Sequence, residues 1–250
     1  MRFVGMALLT VSASCHAELC ELTTLWAHIQ QDYARAYDTP ALTHLGVWLL
    51  GSGVLANTGL DRSFQKTWQQ DVRTSFWNHT LHLPNQIGGL RQWTNMLPIY
   101  TGLYILVGCQ TQSEWTTLGD WGGRSLRTVL VGAPQQAILT HALGAHRPEQ
   151  NKSHWTPFKG HRAISGHAFY GAVPFVNAAK IAVDWRWKVA WYTASTLPAL
   201  ARVNQNKHYT SQALAGWSIA FVAATVMDTP SEWSMSPTFS GEGIQWQWRF

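Results

Sequence analysis

Six long segments of this chain contain no Asp, Glu, Lys or Arg: Thr39 to Leu60, Gln92 to Ser113, Thr128 to His146, Ala163 to Ala179, Val189 to Ala201 and Tyr209 to Met227. All are longer than an ordinary strand and none sustains period-two alternation, so each is predicted to be a buried helix. The expected fold is all-α: a bundle of about six buried helices, formed as one domain by residues 18–227, with any chemistry gathered at one end. The stretches between, Asp61 to Arg91, Glu114 to Arg127, Arg147 to Arg162 and Lys180 to Lys188, hold most of the charge.

Charged residues make up 12% of the chain, against about 25% in an average soluble protein. This favours a membrane-associated chain, while a mean hydropathy of −0.11 keeps a soluble helical protein open. A spanning helix needs about 20 mostly apolar residues. Gly, Pro or polar side chains interrupt every one of the six segments, and Val189 to Ala201 is short. The net charge of +5 favours anionic partners, phosphorylated lipids or an anionic membrane surface. Nucleic acid is not expected, because the Lys and Arg residues are scattered rather than set in a stripe with aromatics.

Both ends differ from the middle. Met1-Arg2, the apolar run Phe3 to Val11 and the small residues up to Ala17 have the layout of a signal peptide over 1–17. An amphipathic N-terminal helix is the other reading. Cys20 and Cys109 would remain after cleavage, as a pair or as two buried thiols. From Asp228 the chain turns into a polar and aromatic tail ending Ile244-Gln-Trp-Gln-Trp-Arg-Phe250. Its alternation predicts one short C-terminal β-strand, expected to dock on the body or on a partner.

Three clusters of chemistry-bearing residues fall at helix ends. Arg147-Pro148 closes the third segment, Ser165-Gly166-His167 opens the fourth, and Arg202 and His208 lie between the fifth and sixth. Two helical hairpins therefore open on one side, and both bring Arg and His there. Arginine forks bind phosphate oxygens in bidentate fashion. Ser165 and Gly166 stand where a helix N-terminus offers free N–H groups to an anion. Two histidines can divide the work of nucleophile and general acid. Each cluster alone is ordinary: a helix ending, an N-cap with a satisfied histidine, loop residues facing solvent. Their order and spacing together are not. The remaining histidines form no metal-ligand pattern, and no metal or other cofactor is expected.

This pattern resembles the tripartite signature of the type 2 phosphatidic acid phosphatases, a superfamily that also holds bacterial acid phosphatases and vanadium haloperoxidases. The signature runs Lys, six residues, Arg-Pro; then Pro-Ser-Gly-His; then Ser-Arg, five residues, His, three residues, Asp. The resemblance covers residues 39 to 227 and implies that His208 attacks phosphorus to form a phosphohistidine. By the same likeness, His167 protonates the leaving oxygen, and Arg147, Arg202, Ser165 and Gly166 hold the phosphate. It implies a phosphatase acting on phosphate esters or pyrophosphates, lipid phosphates first among them, with its site on the periplasmic face of a bacterial inner membrane.

The chain departs from the signature at Thr140 for Lys, Ile164 for the first Pro, Ala201 for Ser and Gln212 for Asp. Arg162, Lys159 or His161 is expected to supply the missing Lys charge. Gln212 can accept an imidazole N–H through its amide oxygen but brings no negative charge. Two other functions therefore stay open: a catalytically impaired binder of phosphorylated lipids, and a soluble periplasmic acid phosphatase. In a membrane, the positive loop Lys180 to Lys188 suits the cytoplasm. The expected arrangement then has five spans, with Thr39 to Leu60 lying at the periplasmic surface.

Overall fold

The computed structural model describes residues 25–89, 95–108, 116–228, 233–237 and 244–248. Helix α1 covers 25–36. It is followed by α2 (Thr39–Asn57), α3 (Leu60–Thr67), which runs into a π-helical turn (Trp68–Val72), α4 (Ser75–Thr80), α5 (His82–Gly89) and α6 (Leu97–Gly108). The second half holds α7 (Thr116–Leu143), α8 (Gly166–Ile181), α9 (Trp185–Asn204) and α10 (Thr210–Thr225). The expected all-α bundle is present, and the six predicted segments correspond to α2 and α6–α10.

Two differences have physical causes. Helix α7 begins 12 residues before Thr128 because its arginines find partners inside the fold. Arg127 grips the buried Asp32 with Nε and Nη2, at 2.5 and 3.0 Å. Arg124 Nη2 donates to Asp228 at 2.5 Å, and Lys180 Nζ donates to the same carboxylate. The charged stretch Asp61 to Arg91, expected to be a connection, instead forms α3–α5. Asp61 is fully buried, and the amide side chains of this stretch bond to the loop after α9, described below.

Core packing places the reactive ends. Val129, Phe169, Ala172, Val173, Val176, Ile219 and Ala220 are fully buried where α7, α8 and α10 meet. At two positions the packing needs glycine. A Cβ on Gly132 would stand 2.7 Å from the Phe169 ring. A Cβ on Gly216 would stand 2.3 Å from the Ser165 carbonyl oxygen, so only glycine lets the start of α8 lie across α10.

The five-span expectation placed Thr39 to Leu60 at the periplasmic surface. Among the described residues, α2 is the one helix long and apolar enough to cross a membrane. Helices α8 and α10 have 16 residues each, about 24 Å of helix against a hydrocarbon layer of about 30 Å. The segment expected at the surface is thus the best spanning candidate. Only 22% of its apolar window is buried, and Leu42, Val47, Leu50 and Val54 lie exposed along it. By length and composition, α2 suits association with a membrane.

The C-terminal strand appears as Ile244–Trp248, paired antiparallel with Trp233–Pro237, with Trp246 opposite Met235. It is therefore half of a hairpin rather than a lone strand. The leader over Met1–Ala17 and residues Cys20 and Cys109 lie outside the described residues.

Candidate active site

Four elements carry the three clusters to one end of the bundle. Ser165 caps α8, its hydroxyl accepting the Ala168 N–H at 3.3 Å. Its own N–H donates to the Gln212 carbonyl at 3.0 Å, seating the start of α8 on the first turn of α10. After α9, the Arg202 carbonyl accepts from both Lys207 N–H (3.0 Å) and His208 N–H (3.3 Å). Asn206 takes a left-handed conformation, φ 56°, which lets that turn reverse. His208 is thereby folded back toward Arg202. The loop after α7 doubles on itself at Gly144 and Gly160, whose φ values of 55° and 79° favour glycine. This fold-back presents Arg147 to the same end.

The hydrogen bonds of Gln212 fix the state of His208. Gln212 Nε2 donates to the His146 carbonyl at 2.7 Å, so its oxygen must face the other way. That oxygen accepts the Tyr209 N–H at 3.2 Å and lies 2.9 Å from His208 Nδ1. An amide oxygen cannot donate, so Nδ1 carries the proton and Nε2 keeps its lone pair. The amide thus orients the imidazole as a carboxylate would, without charge.

Two guanidinium groups set the electrostatics. Arg202 is 8% exposed, and its Nη1 donates to Asn85 Oδ1 (3.0 Å) and Gln205 Oε1 (2.9 Å). The Nε–H groups of Arg147 and Arg202 are buried without a hydrogen-bond partner, and a buried unpaired donor is costly. His208 is pushed down to about 3, chiefly by burial; the Gln212 bond opposes this, while Arg202, Arg147 and His167 reinforce it. His167 is pushed down to about 4 by burial, then by Arg202 and Arg147. Burial and Arg147 also lower Arg202. The site is strongly cationic, and both imidazoles are neutral at pH 7.

The structure gathers Arg147, Ser165, Gly166, His167, Arg202, His208 and Gln212. It does not gather the residues expected to replace the Lys. Lys159, His161 and Arg162 are exposed, and the His161 ring packs on His141, centroids 4.6 Å apart. Arginines 147 and 202 are the cations that act on both imidazoles. Thr140 turns back on its own helix, donating to the Gln136 carbonyl (2.7 Å) and accepting from Gln136 Nε2 (2.9 Å). Gln136 Nε2 in turn approaches Gly166, 3.9 Å from where a Cβ would stand. Thr140, at the Lys position of the signature, thus offers a neutral hydroxyl bonded to a neutral amide.

Sequence reasoning missed α5 altogether. Asn85 holds Arg202, and His167 packs against two glycines. A Cβ on Gly88 would meet the His167 carbonyl at 2.5 Å, and one on Gly89 would meet His167 Nε2 at 3.1 Å. The adjacent Gly88-Gly89 pair was the one local signal, and without the fold it reads as a turn. Asp61 was missed as well. It accepts from Ser211 N–H at 2.9 Å and from the Ser211 hydroxyl, anchoring the first turn of α10. Burial raises its pKa above the ordinary carboxylate value against these bonds. Its contacts are with Thr210 and Ser211, and it is not among the charges acting on His208.

Two imidazoles and two arginines thus form a cationic cluster at one end of the helical bundle. Residues 126–232 match the sequence model of the PAP2 superfamily. No match was found among curated proteins or among solved structures. The matched stretch contains every clustered site residue and leaves out α1–α6. It supports hydrolysis of phosphoric esters as the general activity.

Proposed function

We propose that the chain is a metal-independent phosphatase that works through a phosphohistidine at His208. The observation that carries this reading is the Gln212 amide on His208 Nδ1, which leaves Nε2 as a lone pair in a site with two unpaired arginine Nε–H groups. His208 Nε2 attacks phosphorus as the ester P–O bond breaks, and the proton of His167 goes to the leaving oxygen. Neutral His167 then takes a proton from the water that attacks the phosphohistidine, releasing inorganic phosphate and regenerating His208. Arg147, Arg202 and the Gly166 N–H face the charge of the transferring group, while the Ser165 N–H is held by the Gln212 carbonyl.

The depressed His167 fits this scheme only once substrate is bound. A phosphate dianion brings the negative charge that offsets both arginines and favours a protonated imidazole. The preferred substrates are lipid phosphates, monoesters or pyrophosphates, because α2 presents an exposed apolar face on a protein with this headgroup chemistry. A non-catalytic binder of phosphorylated lipids is the second reading, and the uncharged Gln212 favours it. The domain is taken as 18–227, with the site on the periplasmic side of a bacterial envelope.

Phosphate release from phosphatidate and from a polyprenyl pyrophosphate separates the two readings. Turnover by wild type, lost in His208→Ala together with an acid-labile phosphoenzyme, supports the hydrolase; wild-type binding with no release supports the binder. Turnover should persist in EDTA and be inhibited by vanadate. In intact cells, Lys152→Cys, at an exposed position in the site loop, should react with an impermeant thiol reagent. Asp184→Cys, exposed at the far end of the α8–α9 hairpin, should react as well, because α8 is too short to carry that end across a bilayer.

A further inference from the structure

The bonds between α3–α5 and the turn that carries Arg202 and His208 form a continuous series. Asp61 accepts from Ser211, Gln65 Nε2 donates to Asn206 Oδ1 at 2.7 Å, and Trp68 Nε1 donates to Asn204 Oδ1 at 3.1 Å. Gln69 Nε2 donates to the Val203 carbonyl at 2.8 Å, and Asn204 Nδ2 donates to Asn78 Oδ1 at 2.9 Å. Asn85 Oδ1 closes the series on Arg202 Nη1. A segment more than a hundred residues away in the chain thus holds successive residues of the site turn, and none of it lies within the stretch that matches the superfamily.

We propose that Asn85 is a positioning residue of the phosphoryl site, resting on the reading of that site as one that binds a phosphoryl group. A guanidinium can turn either its end or its side toward an oxyanion. With Asn85 and Gln205 on Nη1, the end is occupied, and the side that carries the unpaired Nε–H is left for two phosphate oxygens. Asn85 does this without charge. A carboxylate there would hold the same nitrogen but neutralise Arg202, so an amide is the side chain that directs the fork and keeps its charge available. Helix α5 is fixed for this task by its glycines: besides Gly88 and Gly89 on His167, Gly171 of α8 would place a Cβ 2.9 Å from Gly88 Cα.

The test measures the affinity of full-length protein for inorganic phosphate and for vanadate by calorimetry, alongside turnover and thermal stability. Asn85→Ala should weaken both anions about tenfold. In an Arg202→Lys background, where no fork remains to be directed, the same change should cost less than about twofold. Asn85→Asp keeps the acceptor and so folds, and it should weaken anion binding about tenfold or more without lowering the melting temperature. A purely structural role predicts the reverse, with melting temperature falling in both variants and equal losses in both backgrounds. Equal losses, or phosphate affinity unchanged in Asn85→Asp, overturn the proposal, as does a wild type that binds neither anion. A wild type that binds phosphate and releases none from any ester refutes the hydrolase reading alone, and the Asn85 cycle can still be completed.

Discussion

Lowering the pH should destabilise this protein through His208, and the size of the effect follows from its burial. The imidazole is held near about 3 in the fold against an ordinary value of 6.5, first by burial and then by Arg202, Arg147 and His167. The unfolded chain therefore binds a proton near pH 6.5 that the native state refuses. Stability is unaffected above that value and falls as the pH drops from about 6.5 toward 3. At pH 5 the loss from His208 alone is about 2 kcal/mol, or about 4–8 °C in melting temperature for a domain of this size. His167 contributes in the same direction, but less, because it is more open to solvent. His208→Asn removes the titration and keeps an amide donor for Gln212 Oε1. Thermal unfolding of both proteins between pH 7.5 and 4.5 should give a variant curve flatter by that amount. Saturating phosphate should shrink the difference by favouring the imidazolium. Parallel curves would refute the claim that His208 is buried as the neutral imidazole.

Gln212→Glu should raise the pKa of His208 and lower stability by about 1–3 kcal/mol, since a carboxylate oxygen would face the His146 carbonyl where an N–H now donates; proton NMR titration and unfolding read the two effects. Asp61→Ala should cost about 1–3 kcal/mol by leaving Ser211 unpaired, and Asp61→Asn distinctly less, because an oxygen still accepts the Ser211 N–H. Gly216→Ala should reduce turnover more than stability, with a cost of about 1–3 kcal/mol, because the new Cβ displaces the Ser165 backbone; unchanged kcat would show that the α8–α10 contact does not set the site.

The sequence was sufficient where the physics is local. Charge-free segments longer than a strand must be buried as helices, and six of them located α2 and α6–α10. Arg147, Ser165-Gly166-His167, Arg202 and His208 could be read because they sit at helix ends in a fixed order, and Gln212 because it stands where the resembled signature has Asp. In the structure its amide oxygen lies 2.9 Å from His208 Nδ1. The limits also had physical causes. Arg124 and Arg127 looked like a boundary of α7 because a lone charge disfavours burial, yet Asp228 and Asp32 neutralise them across the fold. Arg162 and Lys159 looked like substitutes for a missing cation by proximity in the chain, but the loop turns them outward. Thr39 to Leu60 was placed below the other segments as a spanning candidate for its Thr, Asn, His and Gly content. Helix length reversed that order, because α8 and α10 end too soon to cross a bilayer.

What the amino-acid sequence determined by itself was the class of fold and the side chains that gather at one end of the bundle, since helix boundaries and spacing depend on neighbouring residues. Only the tertiary structure decided which groups hold those side chains. Asn85 on Arg202, Gly88 and Gly89 against His167, and Asp61 under Ser211 all come from a polar stretch that carries no motif. Their roles come from contacts between residues far apart in the chain, and no local pattern encodes which buried donor will meet which acceptor.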